Sequence, residues 1–283
     1  MASKSYRRKP VSKRKSNGTN KWIFYLISFV LLLFVAIGIY KFRDGFLYYL
    51  GFKTDKNIET LSKEERKLAD IRIYEILHKH DDKAIGFDVS EYQSEIDWEQ
   101  TYHIDESFEL SFVFIRATAG KNKVDSRFKE NWKASKEREL IRGAYHYYRP
   151  NENSIEQAEN FIKTVKLQKG DLPPVLDIEK LPKSQSIDSL KVGLRRWLKK
   201  VEKHYKVKPI IYSGESYYTD FLKEEFSEYP LWIANYNFWR NHLEDDWSFW
   251  QFTEKAQIAG IEGMVDINIF NGDKNKLLLK CIR

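Results

Sequence analysis

From Lys83 onward the chain alternates short apolar runs with helix-like segments, and this alternation limits its fold more than any other feature. The apolar runs are 84–89, 111–117, 141–148, 174–178, 209–213, 231–235, 248–253 and 265–270. Between them, 125–139, 154–168, 187–204 and 215–225 have helix-like composition, and the last three runs follow one another closely. Such an order predicts an α/β fold with a parallel sheet and helices outside it. Eight runs in about 190 residues predict a compact, partly degenerate TIM-like β/α barrel.

The fourth run carries the clearest chemistry. It opens at Pro173-Pro174 and continues Val175-Leu176-Asp177-Ile178-Glu179. Side chains alternate along a strand, so Val175, Asp177 and Glu179 share one face, and Leu176 and Ile178 share the other. Two acids crowded at the end of a buried strand raise each other's pKa, and burial adds to the effect. One can stay protonated near neutral pH while the other ionises, the division of labour that glycosidic bond cleavage uses.

The other runs also end in polar or aromatic residues. These are Asp88 on the first, Arg116 and Thr118 on the second, Tyr145, His146 and Tyr147 on the third, and Tyr212 on the fifth. Asn235 and Tyr236 close the sixth, Trp250 and Gln251 lie in the seventh, and Asp266 and Asn268 open the eighth. Active sites of β/α barrels lie at the C-terminal strand ends, where these residues are expected to gather. Acids with aromatic rings point to a sugar substrate. No H-x-x-x-H or C-x-x-C pattern suggests a metal, no G-x-S-x-G suggests a serine nucleophile, and no P-loop or G-x-G-x-x-G suggests a nucleotide. No cofactor is expected.

Charge and hydropathy divide the rest of the chain. Residues 1–21 hold eight cations and no acid, more than the net +7 of the whole chain, which leaves −1 on the remainder. They read as a disordered cytoplasmic tail, and the near-neutral body gives no sign of a nucleic-acid partner. Residues 22–40 are uncharged, with aromatics near both ends, and match a transmembrane helix. The cations before it put the N-terminus in the cytoplasm and everything after it outside. A cleaved signal peptide is the competing reading. Residues 41–82 read as a stem, with a helix in 56–82 holding the body, 83–283, off the bilayer. Cys281 is the only cysteine, so no intrachain disulfide forms.

The stretch Gly86-Phe87-Asp88-Val89-Ser90-Glu91-Tyr92-Gln93, followed by Ile96-Asp97-Trp98, resembles the opening strand of the family-25 glycoside hydrolases, the Chalaropsis-type lysozymes. Phe114–Thr118, Gly143–Pro150, Pro174–Glu179, Leu231–Ala234, Trp250–Thr253 and Val265–Asn268 match in the same order, so the resemblance spans about residues 83–273. It implies an enzyme that cleaves the β-1,4 bond between N-acetylmuramic acid and N-acetylglucosamine in peptidoglycan glycan strands. By that resemblance Glu179 is the general acid/base. Asp177 orients the substrate's own acetamido group as it attacks the anomeric carbon, and Asp88 and Asp266 complete an acidic floor. Tyr147 and Tyr212 would hold the acetamido group, and Trp250 would stack on a sugar. Gln251, Asn235, Tyr145 and His146 would contribute further contacts. The chain departs from the family pattern at Ala119 and at Glu91-Tyr92, which bears on subsites. A non-catalytic wall-binding scaffold and a hydrolase of another N-acetylhexosamine polymer such as chitin are the alternatives. Arg116, Arg149 or Arg240 near the cleft would favour the carboxylates of peptidoglycan.

Overall fold

The computed structural model describes residues 21–52, 62–104 and 107–283. The basic tail expected over residues 1–21 lies outside them except for Lys21. Two compact units divide the chain, Met1–Phe46 and Leu47–Arg283.

Helix α1 spans Lys21–Phe52. Its segment Ile23–Phe42 is long and apolar enough to cross a bilayer, and its apolar side chains are exposed among the described residues. The helix runs past residue 40 into part of the expected stem. Helix α2, Lys63–Lys79, starts at a capping box in which Ser62 and Glu65 bond each other's backbone amides. The sequence assigned this stretch to a spacer, and the structure differs. Ile73, Ile76 and Leu77 are buried in the same core as Phe252 and Ala256 of the body. Burying such side chains contributes roughly 1.5–3 kcal/mol each. Over Lys63–Lys79 the expected stem is therefore a helix seated on the barrel wall.

The strands are β1 (Ile85–Val89), β2 (His103–Ile104), β3 (Phe108–Ala119), β4 (Lys123–Val124), β5 (Ile141–Tyr147) and β6 (Val175–Asp177), followed by β7 (Ile210–Gly214), β8 (Leu231–Ala234), β9 (Phe249–Ala256) and β10 (Val265–Phe270). All eight expected runs form strands of one closed barrel in the order β1-β3-β5-β6-β7-β8-β9-β10, shut by β1–β10 pairing. Strands β2 and β4 are short additions to β3. Helices α3 (Phe128–Glu137), α4 (Ser154–Thr164) and α5 (Ile187–Tyr205) cover the wall between the early strands. Two short pieces, α6 (Glu215–Tyr217) and α7 (Lys223–Phe226), flank a π turn, and α8 (Lys274–Leu278) follows the last strand. The barrel is degenerate where the sequence leaves short gaps.

One expectation needs correcting. The sheet is not wholly parallel, because β10 runs antiparallel to both β9 and β1. The connection 257–264 is too short for the crossover that a parallel return requires, and a reversal is all it allows. The reversal also explains why an acid opens this strand. The start of β10 lies at the same barrel end as the C-termini of its neighbours.

Inside the barrel, one end is an aromatic plug. Phe114 stacks on Trp232 with ring centroids 4.3 Å apart, and Phe249 meets Phe112 at 5.4 Å and Phe114 at 5.1 Å. Glycines make room for it: a Cβ on Gly86 would lie 2.4 Å from the Phe112 carbonyl oxygen, and one on Gly143 would lie 2.5 Å from the Phe114 ring. The polar end of the barrel sits above this plug.

Candidate active site

Four carboxylates converge at the open end of the barrel, in a cavity of about 220 Å³. Asp88 lies near the end of β1 and is in register with Asp266 across the antiparallel pair. Asp177 ends β6, in register with Tyr147 on β5 and Tyr212 on β7. Glu179 follows just beyond the strand. All four acids line the cavity, as do Tyr145, Tyr147, Tyr212 and Gln251. Eight of the eleven residues given roles by the resemblance thus face one space.

Hydrogen bonds fix Asp88. Its Oδ2 accepts from Gln251 Nε2 and from Asn268 Nδ2, both at 2.8 Å. Gln251 Oε1 in turn accepts the hydroxyl of Tyr212 at 2.7 Å and that of Tyr236. Asn268 Oδ1 accepts Trp232 Nε1 at 2.7 Å. The amides are oriented because their oxygens are already occupied by donors. By contrast, Asp177 is 4% exposed and its Oδ1 is buried without a hydrogen-bond partner among the described residues.

The acids affect each other's charge. Burial pushes Asp88 up to about 6, against the hydrogen bonds from Asn268 and Gln251 that favour its ionised form. Burial and the neighbouring Asp88 charge raise Asp266 well above the usual carboxylate range. Burial, then the charges of Glu179 and Asp88, raise Asp177 well above that range too. Glu179 is also raised by burial, with the Lys180 charge acting the other way. So dense a cluster holds protons at pH values where isolated acids are ionised.

The remaining three predicted residues lie elsewhere, which corrects the sequence reading. His146 is fully buried on the outer face of β5. Its ring meets Thr118 Oγ1 at 2.7 Å and Gln157 Oε1 at 3.1 Å and stacks on Trp197 of α5. Burial lowers its pKa to about 3, so it stays neutral and structural. Trp250 is also fully buried, with Nε1 donating to the Asn235 carbonyl at 2.9 Å, and it has no face to offer a sugar. Asn235 caps the turn after β8, where its side chain bonds Glu215 and the Asn237 amide, outside the cavity lining. We expect His146→Leu to lower Tm, as leaving a buried partner unsatisfied costs about 1–3 kcal/mol. Any activity of the cavity should stay within about twofold; a loss of orders of magnitude in the folded variant would return His146 to the site.

Trp232 and Gln93, given no role from the sequence, also line the cavity, as does Tyr92, where the chain departs from the family pattern. Trp232 is the tryptophan whose parity on β8 points inward. Arg116 also lines it, but bonds Asp125 at 2.8 Å and Glu91 at 3.0 Å and lies over the Tyr92 ring. Burial opposes ionisation of Glu91, but bonds from Ser126 and Lys123 and the Arg116 charge outweigh it and hold the acid at about 2. Arg149 pairs with Glu152, and Arg240 with Glu215 and Glu244. Each of the three arginines is thus already engaged by a carboxylate.

Comparison with known proteins extends this picture. The sequence profile of Glycosyl hydrolases family 25 matches residues 87–261. YegX of Escherichia coli (strain K12) is 43% identical over 196 residues, covering 68% of this chain and 71% of that protein. Lysozyme M1 of Streptomyces globisporus is 32% identical over 208 residues, 68% of this chain and 69% of that one. Among solved structures, a family 25 glycosyl hydrolase from Bacillus anthracis superposes with a TM-score of 0.62 at 29% identity, over 70% of this chain and 93% of that one. The bacterial lysozyme from Streptomyces coelicolor gives a TM-score of 0.63 at 28% identity, over 70% and 97%.

Proposed function

The chain belongs to glycosyl hydrolases family 25, and from that premise we propose how its cleft cleaves glycan. It is a glycoside hydrolase of the muramidase type, acting on peptidoglycan. In our reading Glu179 gives its proton to the glycosidic oxygen between N-acetylmuramic acid and N-acetylglucosamine. The acetamido oxygen of the muramic residue attacks C1 as that bond breaks. Asp177 accepts the acetamido N–H and stabilises the positive charge that develops on the group. Water then attacks C1, the bond from C1 to the acetamido oxygen breaks and regenerates the acetamide, and the proton of the water passes to the Glu179 carboxylate, which restores the acid. This is the substrate-assisted variant of retaining hydrolysis.

One observation carries the assignment. Asp177 Oδ1 is a buried acceptor with no partner at the floor of a cleft. An unmet buried acceptor costs free energy, and a substrate N–H would meet it. Tyr147 and Tyr212 flank Asp177 in register and suit the two sides of an acetamido group. Incubation with purified peptidoglycan tests the reading: fragments ending in reducing N-acetylmuramic acid are expected by mass spectrometry. Fragments ending in reducing N-acetylglucosamine would place the cut at the wrong bond.

We further read α1 as a membrane anchor that leaves the barrel on the outer side, where peptidoglycan lies. The cations of residues 1–21 and the apolar span Ile23–Phe42 support this. Protease added to intact spheroplasts should digest the barrel of the full chain.

The acid cluster sets a pH window. The first step needs a proton on Glu179, and burial raises that pKa, so activity falls as pH rises through it. The floor must also carry negative charge, and Asp88 loses its charge below about 6. A bell-shaped kcat/KM profile is expected, with its acid limb centred at about 6 and its alkaline limb set by Glu179. Activity that keeps rising as pH falls through about 5 would contradict it.

A further inference from the structure

The segment between β8 and β9 has no helix of its own, and α2 holds it from outside. Arg72 of α2 is 3% exposed. Its Nη1 donates to the Phe238 carbonyl, and its Nη2 to those of Asn237 and Arg240, each at 2.6 Å. Further along α2, Lys79 Nζ bonds Asn241 Oδ1 at 2.9 Å, and beyond its end His80 Nε2 meets the Asn241 carbonyl at 3.1 Å. Immediately before this clamped stretch, Tyr236 donates its hydroxyl to Gln251, and the Asn235 amide bonds the Gln251 carbonyl at 3.0 Å. Gln251 then donates to Asp88. All of α2 lies outside residues 87–261 matched by the family profile.

We propose that Arg72 is a positioning residue for the active site: it fixes the β8–β9 segment so that Tyr236 holds Gln251, and Gln251 holds Asp88. The proposal rests on the muramidase reading above. Its physical basis is the fork of the guanidinium, which presents several donors in one plane and can span three carbonyls at once. A lysine ammonium is a point charge and cannot span the same set. Without the clamp, residues 237–240 lose their shared donor, Tyr236 drifts, and the Gln251 oxygen keeps only the Tyr212 hydroxyl. Its amide then holds Asp88 less firmly, and less donation to Asp88 favours the protonated form.

The test uses the full chain in detergent micelles with soluble glycan strands, comparing Tyr236→Phe, Arg72→Gln, Arg72→Lys and the double variant Arg72→Gln/Tyr236→Phe. Tyr236→Phe should lower kcat about fivefold with KM within about twofold, and Arg72→Gln should lower kcat by at least as much. The double variant should match Arg72→Gln alone, because both changes break one chain of contacts. In each, the acid limb of the pH profile should move to higher pH. If Arg72→Gln does not fold, Arg72→Lys stands in its place with the same expectations. The Gln251 side-chain amide resonance reads the geometry without turnover and should shift alike in the Arg72 and Tyr236 variants. An Arg72 variant that lowers only Tm, with kcat, pH limb and that resonance unchanged, overturns the proposal, as do multiplicative losses in the double variant. Absence of glycan cleavage by the wild type would instead sink the muramidase reading, and the Gln251 resonance would still decide whether Arg72 positions it.

Discussion

Glu179→Gln should reduce release of muropeptides by about a thousandfold or more while leaving the protein folded. The expected loss follows from what the residue supplies. A positioned general acid contributes typically about 10²–10⁴ in rate, and Gln cannot give a proton to the leaving oxygen or take one from water. The fold should not suffer, because Glu179 lies beyond the end of β6 and its side chain faces the cavity rather than the packed core. Stability should even rise at neutral pH. Burial raises the pKa of Glu179 in the folded state, so the native protein binds its proton more tightly than the unfolded chain. Stability from this group is then full below the unfolded pKa and falls as pH rises towards the folded value. An uncharged amide removes that dependence and relieves repulsion with Asp177 and Asp88. A Tm at pH 7 equal to or above the wild type, alongside the lost activity, is the paired expectation. Variant activity within tenfold of wild type, measured as reducing ends released per minute, would assign the acid to another residue.

The sequence made most of the fold and site legible for one reason: the interior of a closed barrel is read by strand parity. Asp177 on the inward face and Leu176 on the outward face were separable because alternation is strict on a strand. The errors came where parity was not applied. Trp250 and Gln251 are adjacent in β9, so only one of them can face the cavity, and His146 between Tyr145 and Tyr147 must face away. Counting inward from Gln251 would have excluded Trp250, and the same count on β8 would have selected Trp232 over its neighbours. The clamp from α2 was not legible. Arg72 sits in a charge-rich helix whose pattern suits a solvated spacer equally well, and nothing local in the sequence reveals that three carbonyls of a distant loop surround it. Nor does the composition of β10 show its direction; only the length of the connection before it does.

Asp177→Asn is expected to lower kcat by about 10²–10³ on N-acetylated glycan, and its interplay with the substrate separates two mechanisms. If Asp177 serves the acetamido group, removing either partner removes the same assistance. Wild type acting on glycan with de-N-acetylated muramic residues should then lose at least about a hundredfold, and Asp177→Asn should add little to that loss. If Asp177 were instead the nucleophile that binds C1, the acetamido group would be a bystander to the chemistry. De-N-acetylation would then cost little with wild type, Asp177→Asn would be inactive on both substrates, and a glycosyl adduct on residue 177 would be trappable for mass spectrometry. The structure favours the first outcome. Asp177 is 4% exposed and flanked in register by Tyr147 and Tyr212. Burial and two neighbouring acids hold its pKa well above the usual range, which disfavours the anionic form that a nucleophile needs. The same environment suits a group that meets an N–H whose acidity grows as the oxazolinium ion forms, because the attraction strengthens as charge develops and needs no full negative charge beforehand.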